Sequence, residues 1–358
     1  MAVSTPLVSV VMTTYNHEKY IAEAIKSVLE QTFTDFELII INDGSSDNTD
    51  KIIKLFLSDK RIVYIHQDNQ GPSVAVNNGI LTAKGKYIAL MSGDDICYPE
   101  RLEKQYQYLE TSGQKIAFSW VDFIDDNSHL ILGNHFAKNF FNYQNKTRAE
   151  MLNTLFFKGN YLCSVTAFIE KDVLLKAGLF HLSSIQLQDF DMWIKLVKHY
   201  EIFILTEKLI KYRVRSDGQN LSHPDSNSIR TYFEKYQIYK NVFDKVPIDL
   251  FKEAFAQNLQ RDDFQDGIEY ELEKAFLYLN TDLTFFRSIG VEKLFHLLQD
   301  NNILSVAKEK YAFGLPQLYE ITKNIDLTNS LAITSIESSK FWKFYRLLVK
   351  LKLKLGWQ

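Results

Sequence analysis

The stretch VSVVMTTYNHEKYIAEAIKSVLEQTFTDFELIIIND, Val8 to Asp43, reads as strand, helix, strand. Val8–Thr14 and Phe36–Asn42 are short, β-branched and apolar. Between them, in Glu18–Gln31, Ile21, Ile25, Val28 and Leu29 recur at the three- and four-residue spacing that lines one face of a helix. Two apolar strands joined by an amphipathic helix make a parallel crossover unit, the building block of an α/β sheet. Working outward, Val63–His66, Lys86–Met91 and Ile116–Trp120 supply further strands. Ser164–Glu170 and Glu201–Val214 add strand-like sequence around a helical segment at Asp189–His199. The expected fold class is α/β, a Rossmann-like, mostly parallel sheet flanked by helices. It occupies residues 1–222, in two halves at about 1–120 and 121–222. After Ile229 the pattern turns helical, giving an appendage over 223–335 and a tail over 336–358.

Composition narrows the class. The chain has 358 residues, 46% hydrophobic and 24% charged, as in an ordinary globular protein with enough apolar residue for a large core. Its net charge of -3 hides an asymmetry: Lys340, Lys343, Arg346, Lys350, Lys352 and Lys354 carry +6 with no acid from Ser338 to Gln358, leaving -9 elsewhere. An acidic body excludes a general nucleic-acid binder, which needs a basic stripe across its folded surface. Cys97 and Cys163 are too few for a disulfide framework and read as buried thiols in a reducing compartment. The first apolar run, Leu7–Met12, is too short for a signal peptide or membrane span, so the catalytic part is expected in the cytoplasm. In the tail, Lys340, Lys343, Arg346, Lys350 and Lys354 share one helical face opposite Phe341, Phe344, Tyr345, Leu348 and Leu355, the pattern of a helix lying on an anionic bilayer. Docking of that helix on its own protein is the alternative.

Ligands of open α/β sheets gather where the strands end, here at Thr13–Asn16, Asn42–Asp47 and Ser92–Asp95. Asp43 can accept from a pyrimidine N3–H, with Thr13 and Tyr15 beside it as hydroxyl and stacking ring; an Asx turn capping the next helix is the competing reading. The adjacent Asp94 and Asp95, delivered by an apolar strand, offer the hard oxygen ligands that Mg2+ or Mn2+ takes alongside phosphates. Asp189 and Asp191 enter a helix whose Trp193, Leu196 and Val197 turn inward. One of the two can serve as general base for a hydroxyl, or both can simply favour the helix N-terminus. His17, His66 and His223 lack ligand spacing and read as structural or exposed. Neither Walker nor dinucleotide fingerprints occur.

Six segments in order, VSVVMTTYN (8–16), QTFTDFELIIINDGSSDNT (31–49), NQGPSVAVNNGI (69–80), GKYIALMSGDD (85–95), QDFDMW (188–193) and YRVRSDGQNLS (212–222), resemble the family-2 glycosyltransferases. The resemblance covers about Pro6 to Ser222 and implies the GT-A fold and inverting transfer of a sugar from a nucleotide-diphosphate donor, a UDP-sugar, to a glycan or lipid-linked acceptor in bacterial-type surface polysaccharide synthesis. It puts Thr13, Tyr15, Asn16 and Asp43 at the nucleotide, Asn77 near the donor, Asp94 near the ribose, Asp95 on a divalent cation, and Asp189 as the base. Departures are Asn42 and Ser92 where the family leads with Asp, Gln188 for Glu, Val76 for a common Arg, and Arg215 for His. Arg215 reads either as a diphosphate contact or as a surface charge. Two alternatives stand beside this reading. A sugar nucleotidyltransferase would need a Gly-rich basic triphosphate loop that Val10–Asn16 lacks. A catalytically idle nucleotide-sugar-binding module is disfavoured by the retained Asp95 and Asp189.

Overall fold

The computed structural model describes residues 5–132, 138–216, 228–265, 267–281 and 284–324. The basic tail and the 217–222 end of the last motif lie outside the described residues. In chain order the first part runs β1 (Val8–Thr14), α1 (Ile21–Leu29), β2 (Phe36–Asp43), α2 (Thr49–Lys54), β3 (Ile62–Gln67), α3 (Pro72–Thr82), β4 (Tyr87–Ser92), β5 (Ile96–Cys97), α4 (Arg101–Ser112) and β6 (Ile116–Ile124). It continues with α5 (Lys138–Phe141), α6 (Arg148–Lys158), β7 (Phe168–Glu170), α7 (Lys171–Lys176), α8 (Gln188–Val197) and β8 (Phe203–Arg213). The strands form one sheet in the order β3-β2-β1-β4-β7-β6-β8-β5. β1 to β4 are mutually parallel, β7 is antiparallel to both its neighbours, and β6 and β8 are parallel. The expected mixed, mostly parallel α/β sheet is what the chain forms.

Burial explains the central strands. Every residue of β2, FELIIIND, is buried, as in a parallel strand covered on both faces by helices. One layer packs Val8, Val10, Met12, Leu38 and Ile40 against Ile21, Ile25 and Val28 of α1. These are the residues whose spacing predicts that helix.

Two expectations need correction. The stretch Ser164–Glu170 is not one strand: Ser164–Thr166 is a turn of 3-10 helix, closed by Thr166 Oγ1 donating to the Cys163 carbonyl at 2.8 Å, and only Phe168–Glu170 pairs. The local hydroxyl-to-carbonyl bond outcompetes the ladder. Conversely, β6 does not stop at Trp120. It runs to Ile124 past a register irregularity at Ser119–Val121, which carries the strand on beside β8 to its last residue.

Contacts divide the chain into two compact units, Met1–His223 and Pro224–Gln358. The described part of the second is helical: α9 (Ser228–Lys240), α10 (Ile248–Phe255), α11 (Ile268–Leu279), α12 (Thr284–Leu297), α13 (Asn301–Tyr311) and α14 (Leu315–Asn324). Leu272, Phe276, Leu294, Leu298, Ala307 and Leu318 form a core of its own. Among the described residues no helix is long and apolar enough to cross a membrane.

Candidate active site

Register brings the predicted loops to one edge. Thr13 lies opposite Ile41 and Ser92, Thr14 opposite Asn42, and Asp43 opposite Gln67, so β1, β2, β3 and β4 end at nearly the same level. The loops that follow are fastened together. Asn16, held at φ 56°, accepts from the Ser46 N–H at 2.8 Å while its own N–H donates to Ser45 Oγ at 2.9 Å. Thr13 is half-buried, and Tyr15 is 46% exposed, a ring left open at the loop tip. A Cβ on Gly93 would stand 2.6 Å from Thr14 Oγ1 and 3.0 Å from His17 Nδ1, so only glycine lets the β4 loop press against the β1 loop.

Asp43 does not make the Asx turn. Asp47 does, through Oδ1 accepting from the Thr49 N–H at 2.9 Å, while Asn42 Oδ1 accepts from the Ser45 N–H at 3.0 Å. Asp43, 4% exposed, reaches across to the β3–α3 loop and accepts from Gln67 Nε2 at 2.7 Å and from the N–H groups of Gln70 and Gly71, both at 2.9 Å. Asn42 also explains its own departure from the family pattern. Its Nδ2 donates to Tyr64 Oη at 3.1 Å while that hydroxyl donates to Asp50, a chain that a carboxylate at 42 could not start. Burial and then the Asp50 partner push the Tyr64 phenol up to about 12.

Asp94 and Asp95 are both buried, at 8% and 2% exposure. Ser92 Oγ donates to Asp94 Oδ1, so the serine standing in the family's leading Asp position orients the next carboxylate. His17, placed by spacing among the structural or exposed histidines, is brought by its loop to 3.7 Å from Asp94 Oδ2 and is only 12% exposed. Burial, and next the Asp94 charge, push the Asp95 carboxyl well above the usual carboxylate range; the Arg213 N–H and the charges of Arg213 and Arg101 partly offset this.

Two arginines that sequence reading passed over hold this corner. The Arg213 N–H donates to Asp95 Oδ1 at 2.8 Å, and its fully buried guanidinium donates to the carbonyls of Asp94 and Asp125, both at 2.7 Å. Its Nη2 reaches Glu23 Oε2 and Ser128 Oγ, each at 3.0 Å, and the group sits 4.5 Å from the centre of the Tyr20 ring. Arg101, also fully buried, donates to the Leu90 carbonyl at 2.9 Å and to Gln105 Oε1 at 3.1 Å. Arg215 is 8% exposed with its guanidinium 5.5 Å from the same Tyr20 ring, so the surface-charge reading does not hold.

On the acceptor side, α8 is anchored by Trp193, which meets Phe118 and Phe180 edge-on. Asp189 stands at its first turn, Oδ2 accepting from Asn160 Nδ2 at 3.0 Å and Oδ1 from the Phe190 N–H at 2.7 Å. Asp191 is occupied differently, by Lys195 of the same helix at 2.6 Å. Asn77 clamps the backbone of Phe180, donating to its carbonyl at 2.8 Å and accepting from its N–H at 3.0 Å, which ties α3 to the segment leading into α8.

Comparison with known proteins gives the family. The sequence pattern of Glycosyl transferase family 2 matches residues 9–177. An uncharacterized glycosyltransferase of Methanocaldococcus jannaschii is 36% identical over 242 residues, covering 66% of this chain and 80% of that one. The chain belongs to glycosyltransferase family 2. A Rickettsia typhi glycosyltransferase is similar at 34% identity, with 65% of this chain and 70% of that one covered. S. aureus TarS, solved with UDP-GlcNAc, shares the fold at TM-score 0.59 and 18% identity over 91% of this chain and 90% of that one. A Pyrobaculum calidifontis mannosyltransferase with GDP-Man and Mn2+ does so at TM-score 0.50 and 14% identity, over 99% and 88%. The protein is a glycosyltransferase of GT-A fold, which removes the nucleotidyltransferase and idle-module alternatives.

Both cysteines of the glycosyltransferase are buried and free, as their number predicts. Burial is the first cause raising each thiol. At Cys163 the charges of Asp95 and, more weakly, Asp189 add to it, which puts both carboxylates within electrostatic reach of one sulfur. A raised thiol stays protonated and unreactive near neutral pH. Iodoacetamide at pH 7.5 is expected to leave both cysteines unmodified in the native protein over a time in which urea-unfolded protein is alkylated at both, as mass spectrometry would record.

Proposed function

We propose that the enzyme takes a UDP-sugar as donor and transfers the sugar, with inversion, to an acceptor hydroxyl of a glycan or lipid-linked intermediate. The observation that carries this reading is the parallel register ending β1, β2 and β4 together, which brings Thr13, Tyr15 and Asp43 to the same sheet edge as two buried carboxylates. Asp189 is the general base, because its neighbour Asp191 is already paired with Lys195. A hydroxyl placed against Asp189 loses its proton as it attacks the anomeric carbon from the side opposite the leaving diphosphate; one displacement then inverts the centre. Gln188 Oε1, buried with no hydrogen-bond partner among the described residues, is an acceptor that a substrate hydroxyl would satisfy. The fold relationship to enzymes solved with UDP-GlcNAc and with GDP-Man and Mn2+ supports a nucleotide-sugar donor.

A divalent cation, Mn2+ or Mg2+, fits at Asp95 with Asp94 beside it. Burial and the Asp94 charge raise the cost of ionising Asp95, and a cation would offset that cost. Among the described residues no three His, Cys, Asp or Glu side chains gather around one point, so the donor's phosphates and water would complete the coordination. The bound ion supplies charge for the departing diphosphate. The cell-envelope role, and contact of the basic tail with the inner face of a membrane, belong to the same proposal.

Thermal shift tests it. A ligand at about a hundred times its Kd adds about 2.7 kcal/mol to the native state. UDP with Mn2+ is expected to raise the Tm more than UDP alone, and Asp95→Asn to remove the Mn2+-dependent part. Equal stabilisation with and without Mn2+ in the wild type would remove the cation from the account.

A further inference from the structure

We infer that Gln67, locked by Asn78, is a specificity residue that leaves Asp43 able to accept one hydrogen bond from the nucleobase and no more. The inference rests on Asp43 as the base contact and deepens it.

An ionised carboxylate has about four acceptor positions, two on each oxygen. Asp43 Oδ1 accepts from Gln67 Nε2 at 2.7 Å and from the Gln70 N–H at 2.9 Å, so both of its positions are taken. Oδ2 accepts from the Gly71 N–H alone, at 2.9 Å. One position remains, on Oδ2. The donor on Oδ1 is held there by a second amide: Asn78 Nδ2, on α3, donates to Gln67 Oε1 at 2.8 Å. Turning the Gln67 amide over would set its oxygen against the carboxylate and its NH2 against the Asn78 NH2, losing both bonds. The chain Asn78, Gln67, Asp43 therefore has one direction, and it ends on a carboxylate with a single free lone pair. The two loops are also pressed closely together. Gly44, at φ 71°, has no room even for a Cβ, which would lie 2.6 Å from the Asn69 nitrogen.

Base chemistry then decides what binds. Uracil offers one ring N–H between two carbonyls, which a single acceptor satisfies. Guanine offers N1–H and the exocyclic NH2 side by side, a pair that matches both oxygens of a free carboxylate; here Oδ1 is full, so one guanine donor would be buried without a partner. Cytosine brings an unprotonated N3 against the lone pair. A polar site selects by leaving the wrong ligand's groups, or its own, unpaired. In the usual carboxylate contact to guanine both oxygens are available; Gln67 is what withdraws one of them.

The test is the ratio of UDP to GDP affinity, measured by titration calorimetry on the full chain with Mn2+ present. Wild type is expected to favour UDP. Gln67→Met frees one of the two positions on Oδ1 and should narrow the UDP:GDP ratio about tenfold, the worth of one hydrogen bond to a charged group. Asn78→Leu, which unlocks the Gln67 amide without touching Asp43, should narrow it in the same direction by less. A general loss of stability would weaken both nucleotides together and leave the ratio where it was. An unchanged ratio in both variants, with Asp43→Asn losing UDP preference, overturns the inference and spares the base contact. If Asp43→Asn binds UDP as the wild type does, the base contact itself fails and takes the inference with it.

Discussion

Replacing Asp189 by Asn is expected to lower kcat about a thousandfold while leaving UDP affinity within a factor of two, since a positioned general base contributes about 10²–10⁴ to a proton transfer. The substitution keeps the size of the side chain and one of its two acceptor oxygens, so one of the bonds from Asn160 Nδ2 and the Phe190 N–H survives and α8 keeps its packing through Trp193. What the amide cannot do is take a proton. Asp191→Asn is the matched control. It removes a partly buried ion pair to Lys195 of the same helix, worth up to about 1 kcal/mol, and should change kcat less than threefold. Steady-state transfer and calorimetry on the two variants separate the roles. If Asp189→Asn turns over normally, or if Asp191→Asn is the inactive one, the assignment of the base is wrong.

Arg213→Met is expected to cost the most stability, about 3–5 kcal/mol, the range found when one partner of a buried charged network is deleted. The guanidinium is fully buried, and its loss strands the Asp94 carbonyl and takes one partner each from the Asp125 carbonyl and Ser128 Oγ, which keep the Ser128 N–H and Glu23. The Asp94 carbonyl gave up water to make its bond, so it retains a desolvation penalty once the partner goes. Arg213→Lys should recover only part of the loss, because one ammonium cannot reach three segments that lie 88, 119 and 190 residues away along the chain. Glu23→Gln should matter little, since the Glu23 side chain is 47% exposed and water can replace it. Denaturant melts followed through the sheet unit test the order. Arg213→Met as stable as Glu23→Gln would show that the network does not hold the Asp94–Asp95 turn.

The first four strands were legible because their physics is local. A buried parallel strand reads as a β-branched apolar run, and Val8–Thr14 and Phe36–Asp43 are such runs to within a residue. The ends of those runs carry Thr13, Asp43 and Asp94, so the site edge followed from the strand pattern. Asp189 was preferred to Asp191 by family resemblance; what the sequence could not show is that Lys195 pairs with Asp191. Arg101 and Arg213 could not be found by composition. A lone arginine near a strand end reads as a solvated charge, and only contacts made across the sheet show it to be buried. Of the two readings left open for His17, structural or exposed, the buried one holds, and its neighbour could not be read: no spacing rule links it to Asp94, which lies 77 positions away and is reached through the packing of Gly93 on Thr14. The acceptor half thins out in sequence because its contacts come from turns and loops such as Gly159–Cys163 and Gly178–Leu187, whose conformations depend on what they pack against.

The most direct test of the account is the anomeric configuration of the first-formed product. Turnover of a UDP-sugar with Mn2+, water serving as acceptor if no glycan is at hand, can be followed by 1H NMR before mutarotation equilibrates the anomers. A single displacement assisted by Asp189 predicts a released sugar of the opposite anomeric configuration to the donor. A product that keeps the donor's configuration would contradict it, because retention requires either two displacements or attack from the same face as the leaving diphosphate.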